Sequence, residues 1–387
     1  MKWIIGLAIR YALRNPVQTA LLAVSLGVTA AIPTASRLII DRFDQRMTAQ
    51  ASSVPLLVGA RGSRFDLVLA SVFFREPPER QISVETWNSI AAVPGLEPVQ
   101  MNAEHTASGR RLVCIGHGAY RRLGLSPAAG SLPLLLGDVT LGAAVARELG
   151  LAVGDTITTD RNELFDLSVP PPVVLPIVGV LEPTGTSIDD VVFASIDTAW
   201  VVGGQTHSHA EGEDLTSDDI IAAGDNAIAV RPTLQTETTI NPSNIATFHG
   251  HDDPSLRPLT AVLVFADDPK PITIAAARIE SDPALQAVTP VMVVDELLGV
   301  VLRVQRVFDA ITALLAAASL LLVMLTSALA ARLRSDEFAV LESVGAPRGT
   351  ASRLLFAQIA VVAVAAAVIA AVLVAAALAV SAGMNLA

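Results

Sequence analysis

AITALLAAASLLLVMLTSALAA, Ala310 to Ala331, is 22 residues without a charged side chain. At roughly 1.5 Å per residue, a helix of that length reaches about 33 Å and can cross a hydrocarbon core of about 30 Å. Two other runs share the property. Asn15 to Ser36, NPVQTALLAVSLGVTAAIPTAS, also has 22 residues, and Leu354 to Ala387 has 34. The last is longer than one crossing needs and too short for two crossings with a turn, so it is expected to form one span ending near Val380. Apolar residues make up 52% of the chain against 16% charged, and mean hydropathy is +0.55, which argues against a wholly soluble protein and excludes disorder, collagen and coiled coil.

The first run has the small residues Ala30, Ala31 and Ala35 at its end, as a cleaved signal peptide would. Its apolar core is too long for one, and an uncleaved span is expected. Before it, Trp3, Ile4, Ile5, Leu7, Ala8, Tyr11 and Leu13 interleave with Lys2, Arg10 and Arg14 at helical spacing. That pattern predicts an amphipathic helix over residues 1–14, lying on the cytoplasmic membrane face. Lys2, Arg10 and Arg14 precede the first span, and Arg332, Arg334, Arg348 and Arg353 lie between the second and third, so both segments are expected in the cytoplasm. Residues 41–305 hold 17 basic and 33 acidic residues, a net of −16, and a large acidic segment between two spans belongs outside. With three crossings the C-terminus also falls outside. The whole-chain charge of −11 makes nucleic acid an unsuitable partner, and Cys114, the single cysteine, can form no intramolecular disulfide.

The external segment mixes short strands with helices. Helices are expected over Gln81–Val93, Val139–Gly154 and Ile272–Ser281. Strands are expected over Glu97–Asn102, Arg111–Ile115, Thr156–Thr159, Val173–Val180, Leu259–Phe265 and Ala287–Val294. Gly203–Asp219 and Thr236–Asp253 are polar and predicted as loops, and Gly59-Ala60-Arg61-Gly62 as a turn.

Four of the six histidines fall in two H-x-H pairs within those loops: His207 and His209 in THSHAEGED, His249 and His251 in FHGHDD. With Glu211 and Asp252 beside them, imidazole and carboxylate groups of this kind suit zinc, as low-affinity collectors on polar loops; solvated loops that happen to contain histidine are the plainer reading. No HExxH, Walker A or GxSxG sequence occurs, so no catalytic centre is expected, and ATP can enter only through a partner. Cys114, in RLVCIG, is expected to be a buried small hydrophobe. In the cytoplasmic segment Phe338, Leu341 and Val344 recur every three residues, with Asp336, Glu337 and Glu342 facing elsewhere and Gly345 as a helix stop before Pro347. Such a helix can dock in a groove of a soluble partner.

The order of elements resembles the permease subunit of FtsX/MacB/LolC-type ABC transporters. Three stretches carry the likeness: IGLAIRYALRNPVQTALLAVSLGVTAAI (Ile5–Ile32), LGAAVARELGLAVGDTI (Leu141–Ile157) and RLRSDEFAVLESVGAPRGTASRLLFAQ (Arg332–Gln358). LLVGARGSRFDLVLASVFF (Leu56–Phe74) and VGVLEPTGTSIDDVVFAS (Val178–Ser195) further resemble a subgroup found beside metal-uptake genes, often zinc-regulated ones. The resemblance implies an α-helical membrane protein with three transmembrane helices and a large α+β, MacB-like periplasmic domain inserted between helices 1 and 2. The expected divisions are a surface helix over 1–14, spans over 15–40, 306–331 and 354–380, the periplasmic domain over 41–305, a coupling segment over 332–353 and a tail over 381–387. It implies a bacterial inner-membrane, non-enzymatic, mechanotransmission permease. Its partners would be a cytoplasmic ABC ATPase docking on Asp336, Glu337, Phe338, Leu341, Val344 and Gly345, a second permease as homo- or heterodimer, and a periplasmic binding protein or lipoprotein. Members usually have four spans, and this sequence shows three. That departure favours a second reading, a membrane-anchored metal-binding or regulatory scaffold without transport.

Overall fold

The computed structural model describes residues 2–161, 170–208, 220–223, 228–230, 238–241, 243–333, 335, 340, 343, 347 and 349–384. The chain divides into two compact units, Met1–Gln45 with Leu297–Ala387, and Arg46–Glu296. It opens with helices α1 (Lys2–Arg14) and α2 (Pro16–Ser52). Next come β1 (Leu56–Ala60), α3 (Arg64–Ser71), β2 (Ile82–Ser83), α4 (Val84–Ala91), β3 (Glu97–Asn102), β4 (Thr106–Ala107) and β5 (Arg110–Ile115). α5 (Gly118–Arg122), β6 (Pro127–Gly130), β7 (Val139–Leu141), α6 (Ala143–Leu149), β8 (Thr156–Thr158), β9 (Val174–Leu181), β10 (Val192–Ser195) and α7 (Ile196–Val202) follow. The chain then forms β11 (Ile220–Ala223), β12 (Ile228–Val230), β13 (Pro258–Leu259), β14 (Ala261–Phe265), α8 (Pro269–Glu280) and β15 (Leu285–Val288). It closes with α9 (Pro290–Arg332) and a last helix, α10 (Thr350–Met384).

In the Arg46–Glu296 unit one mixed sheet runs β15-β1-β14-β3-β5-β10-β7-β9-β6, with β4 and β8 pairing beside it. The central β14, Ala-Val-Leu-Val-Phe, is buried throughout, as a continuous apolar run between two neighbours should be. β9 alternates half-buried and buried residues along its length, the period-2 pattern of a strand with one face on the core. Phe193 is wholly buried and meets Phe74 and Tyr120 edge-on, with ring centroids 5.8 and 6.3 Å away. The Tyr120 hydroxyl donates to the Ala194 carbonyl at 3.1 Å, so the polar tip of the ring is satisfied inside. Cys114 on β5 is fully buried, and burial pushes its thiol far above the usual range; it is the inert core hydrophobe its apolar surroundings predict.

The Met1–Gln45 and Leu297–Ala387 unit is helical. Among the described residues, three helices are long and apolar enough to cross a membrane: Pro16–Ser52, Pro290–Leu329 and Ser352–Ser381. The 34-residue C-terminal run thus forms one helix over its described residues. Ile4 and Ala8 of α1 are buried against Leu354 of α10, with Ala357 and Val361 alongside, while Trp3, Ile5, Leu7 and Leu13 of α1 are exposed. Gly27 of α2 lies so close to α10 that a Cβ there would sit 2.9 Å from Ile369 Cγ2 and 3.0 Å from the Ala366 carbonyl oxygen, the close approach that small residues allow between membrane helices.

Several elements depart from the sequence expectation. Val139–Gly154 is not one helix: Val139–Leu141 is a strand, antiparallel to β10 and parallel to β9, and α6 ends at Gly150 in the left-handed conformation (φ 66°), not at Gly154. Ala287–Val294 is not one strand, because the chain turns helical at Pro290, whose fixed φ and missing N–H suit a first helical position. Ile82 and Ser83 pair with β13 before α4 begins at Val84. Gly59 and Ala60 belong to β1 rather than to a turn.

Two predictions test this packing. A Cβ on Gly142 would lie 2.4 Å from the Asp189 carbonyl oxygen and 2.5 Å from that of Ile188, and neither backbone atom can rotate away. Gly142→Ala is expected to destabilise the domain by about 1–3 kcal/mol, whereas Gly62→Ala, which meets nothing within 4 Å, is neutral; thermal unfolding in detergent separates the two. His105 is half-buried, and loss of hydration holds its pKa below 6.5, against opposing pulls from Glu104 and a hydrogen bond to the Ala199 backbone. The unfolded chain therefore binds this proton first, so stability is level above about pH 6.5 and falls as pH drops below it. His105→Gln should flatten that acid-side loss when unfolding midpoints at about pH 7.5 and 5.5 are compared.

Candidate functional site

Trp200 near the end of α7 organises two segments distant in sequence. After α7 the chain turns through Gly203 and Gly204 (φ 77°), and the Thr206 N–H donates back to the Trp200 carbonyl at 2.9 Å. On the other segment the Pro258 carbonyl accepts from Trp200 Nε1 at 3.3 Å, and the Arg257 guanidinium lies 4.8 Å from the indole centroid. Asp253 starts the turn Pro254–Leu256 by accepting from the Ser255 N–H at 2.9 Å, and that backbone bond, with help from the Ser255 hydroxyl, holds its carboxyl below the usual range.

Between these anchors the segments pair. His207 and His249 form an isolated antiparallel bridge and exchange both backbone bonds, N–H to carbonyl, at 2.9 Å each. Residues opposed in this way present their side chains on one face, and two steps along an extended chain return to that face, which carries His251 there too. The three rings form a nearly equilateral triangle with centroid separations of 5.0, 5.2 and 5.0 Å. Their ligand nitrogens lie within 4.8 Å of one another, with His207 half-buried and the other two exposed. Gly250 permits the approach: a Cβ there would be 2.8 Å from the Gln205 carbonyl oxygen. Beside the bridge, the hydroxyl of the buried Ser208 lies 2.5 Å from that of the exposed Thr247.

Of the residues singled out in the sequence, the structure brings His207, His249 and His251 together. Asp252 is exposed on the next bend and is not one of the three-residue group. His209 and Glu211 lie outside the described residues, as do Asp336, Glu337, Phe338, Leu341, Val344 and Gly345. Sequence reasoning missed one pair in the helical unit: Arg37 of α2 reaches Asp309 of α9 at 3.4 Å. Each is the charge that adjoins its uncharged run, a signal present in the sequence.

Residues 310–386 match the family model described as FtsX-like permease C-terminal. No curated protein matches the chain. Among solved structures, the extracellular domain of the noncanonic ABC-type transporter YknZ from Gram-positive bacteria aligns at 10% identity and a TM-score of 0.34, covering 60% of this chain and 98% of that one. The periplasmic region of MacB from Actinobacillus actinomycetemcomitans aligns at 8% identity and a TM-score of 0.36, covering 64% and 94%. Scores this low do not by themselves establish a common fold, so the assignment rests on the C-terminal match. That match takes in the apolar part of α9, the connecting segment and α10, so the C-terminal fifth of the chain is similar to FtsX-like permeases, and a mixed α/β domain is set between the first and second candidate membrane helices.

Proposed function

We propose that this chain is the transmembrane subunit of an ABC transporter of the mechanotransmission type, in which a separate cytoplasmic ATPase drives movement of the extracytoplasmic domain. The observation that carries the reading is the FtsX-like match over residues 310–386, which includes the segment between α9 and α10. That segment has the composition of a docking helix, with Phe338, Leu341 and Val344 on one edge and basic residues at both ends.

The long helices supply the mechanics. α2 has 37 residues and α9 has 43, about 55 and 65 Å at roughly 1.5 Å per residue, each well beyond a bilayer of about 30 Å. A continuous helix carries tilt or rotation along its length, because bending it means breaking backbone hydrogen bonds; α9 has no proline beyond its first residue, whereas α2 carries Pro33, where one such bond is already missing. ATP binding and hydrolysis in the partner would shift a two-state arrangement of these helices, and the domain beyond them would follow. The acidic domain lies outside and the basic segment inside a bacterial inner membrane in this scheme, in keeping with their charges.

The test is affinity purification of the tagged full-length protein from its own host in detergent. An ATPase should co-purify and be active in the eluate, and deletion of residues 336–346 should remove both the partner and the activity. Phe338→Asp, which puts a charge on the apolar edge, should weaken the association at least about tenfold. Undiminished co-purification after the deletion would refute the coupling, and absence of any ATPase even after crosslinking would favour the scaffold reading.

A further inference from the structure

We propose that His207, His249 and His251 form one exchangeable site for a divalent transition metal of the zinc class. The inference goes beyond the permease reading and does not depend on it. Three nitrogen donors already share one face of a paired segment, with ligand atoms within 4.8 Å of one another. In a tetrahedral zinc site nitrogens at about 2.0–2.1 Å from the metal are roughly 3.3 Å apart, so closing the triangle takes side-chain rotation of order 1 Å, which two exposed rings can make.

A second observation bears on the donor atom. His249 Nδ1 lies 2.9 Å from the Thr247 carbonyl, an acceptor with no proton to give, so that nitrogen carries the N–H and the lone pair sits on Nε2. Metal-bound imidazoles are commonly oriented in this way, with the far ring nitrogen donating to a backbone carbonyl. The scaffold is held independently of any ion by the two bridge bonds, the Ser208–Thr247 contact and the common anchor on Trp200.

Donor type and number set the class of ion. Calcium and magnesium require oxygen ligands, whereas neutral imidazoles suit zinc, copper and nickel. Two of the three rings are exposed and give the ion a path to solvent. The site would therefore load and release metal.

The experiment uses the full-length protein in detergent, purified with a tag free of histidine and stripped with chelator. Calorimetric titration with zinc chloride should show one strong site per chain, and cobalt(II) should give the visible bands of a tetrahedral centre, with calcium and magnesium failing to compete. His249→Ala and His251→Ala should each weaken zinc binding at least about tenfold, and the triple variant with His207→Ala should abolish this site. Lack of stoichiometric zinc binding, or binding unchanged in the triple variant, would overturn the proposal. Should the triple variant fail to fold, the single His251→Ala substitution at an exposed ring decides by the same readout. Because binding rather than transport is measured, failure here and failure of the coupled-permease reading are distinguishable.

Discussion

β1 is hydrogen-bonded on both edges, to β14 on one side and to β15 on the other, and the rest of the sheet is built outward from that double pairing. Leu57 faces Leu263 across one ladder and Val288 across the other. Leu56, Leu57 and Val58 are buried, each worth about 1.5–3 kcal/mol of transfer from water, and their backbone groups could be satisfied nowhere else at that depth. Three residues separate β1 from the end of α2, and Thr289 alone separates β15 from the start of α9. β1 and β15 are adjacent antiparallel strands, with the start of β1 beside the end of β15.

This closure joins residues more than 200 positions apart, which explains what the sequence could and could not disclose. The membrane helices were legible because lack of charge over 20 or more residues is a local property that bilayer thickness converts directly into structure. β9 was legible because VLPIVGVL is a short apolar run rich in valine and isoleucine, a composition that favours a strand. Val139–Leu141 was not, since three residues become a strand only through β9 and β10, and the helical spacing of Ala143–Leu149 extends backwards over them without contradiction. In Ala287–Val294 a short apolar run fits a buried strand or a buried helix equally well, and Pro290 marks the change only once the helix is known to start there.

The candidate site follows the same division. Each H-x-H pair is visible as spacing, and extended chain would put both of its rings on one face. That His207 stands opposite His249 is a tertiary fact, set by Trp200, by the Asp253 turn and by the absence of a side chain at Gly250. The same limit applies to Arg37 and Asp309: two charges that bound different uncharged runs are each conspicuous, while their pairing is a property of how two helices pack.

The two segments that carry the histidines hang from the same residue, and this constrains what a metal there could do. A ligand shifts an equilibrium only by the difference in its affinity for the two states. The His207 segment is tied to the Trp200 carbonyl through Thr206, and the His249 segment approaches the Trp200 ring through Arg257 and Pro258. Movement of α7 would carry both together and leave the histidine triangle unchanged. Metal affinity would then be nearly the same in either state of the domain, so the three rings are better suited to holding and passing on an ion than to switching the domain. The buried core around Phe193 is assembled from strands that include none of the three histidines.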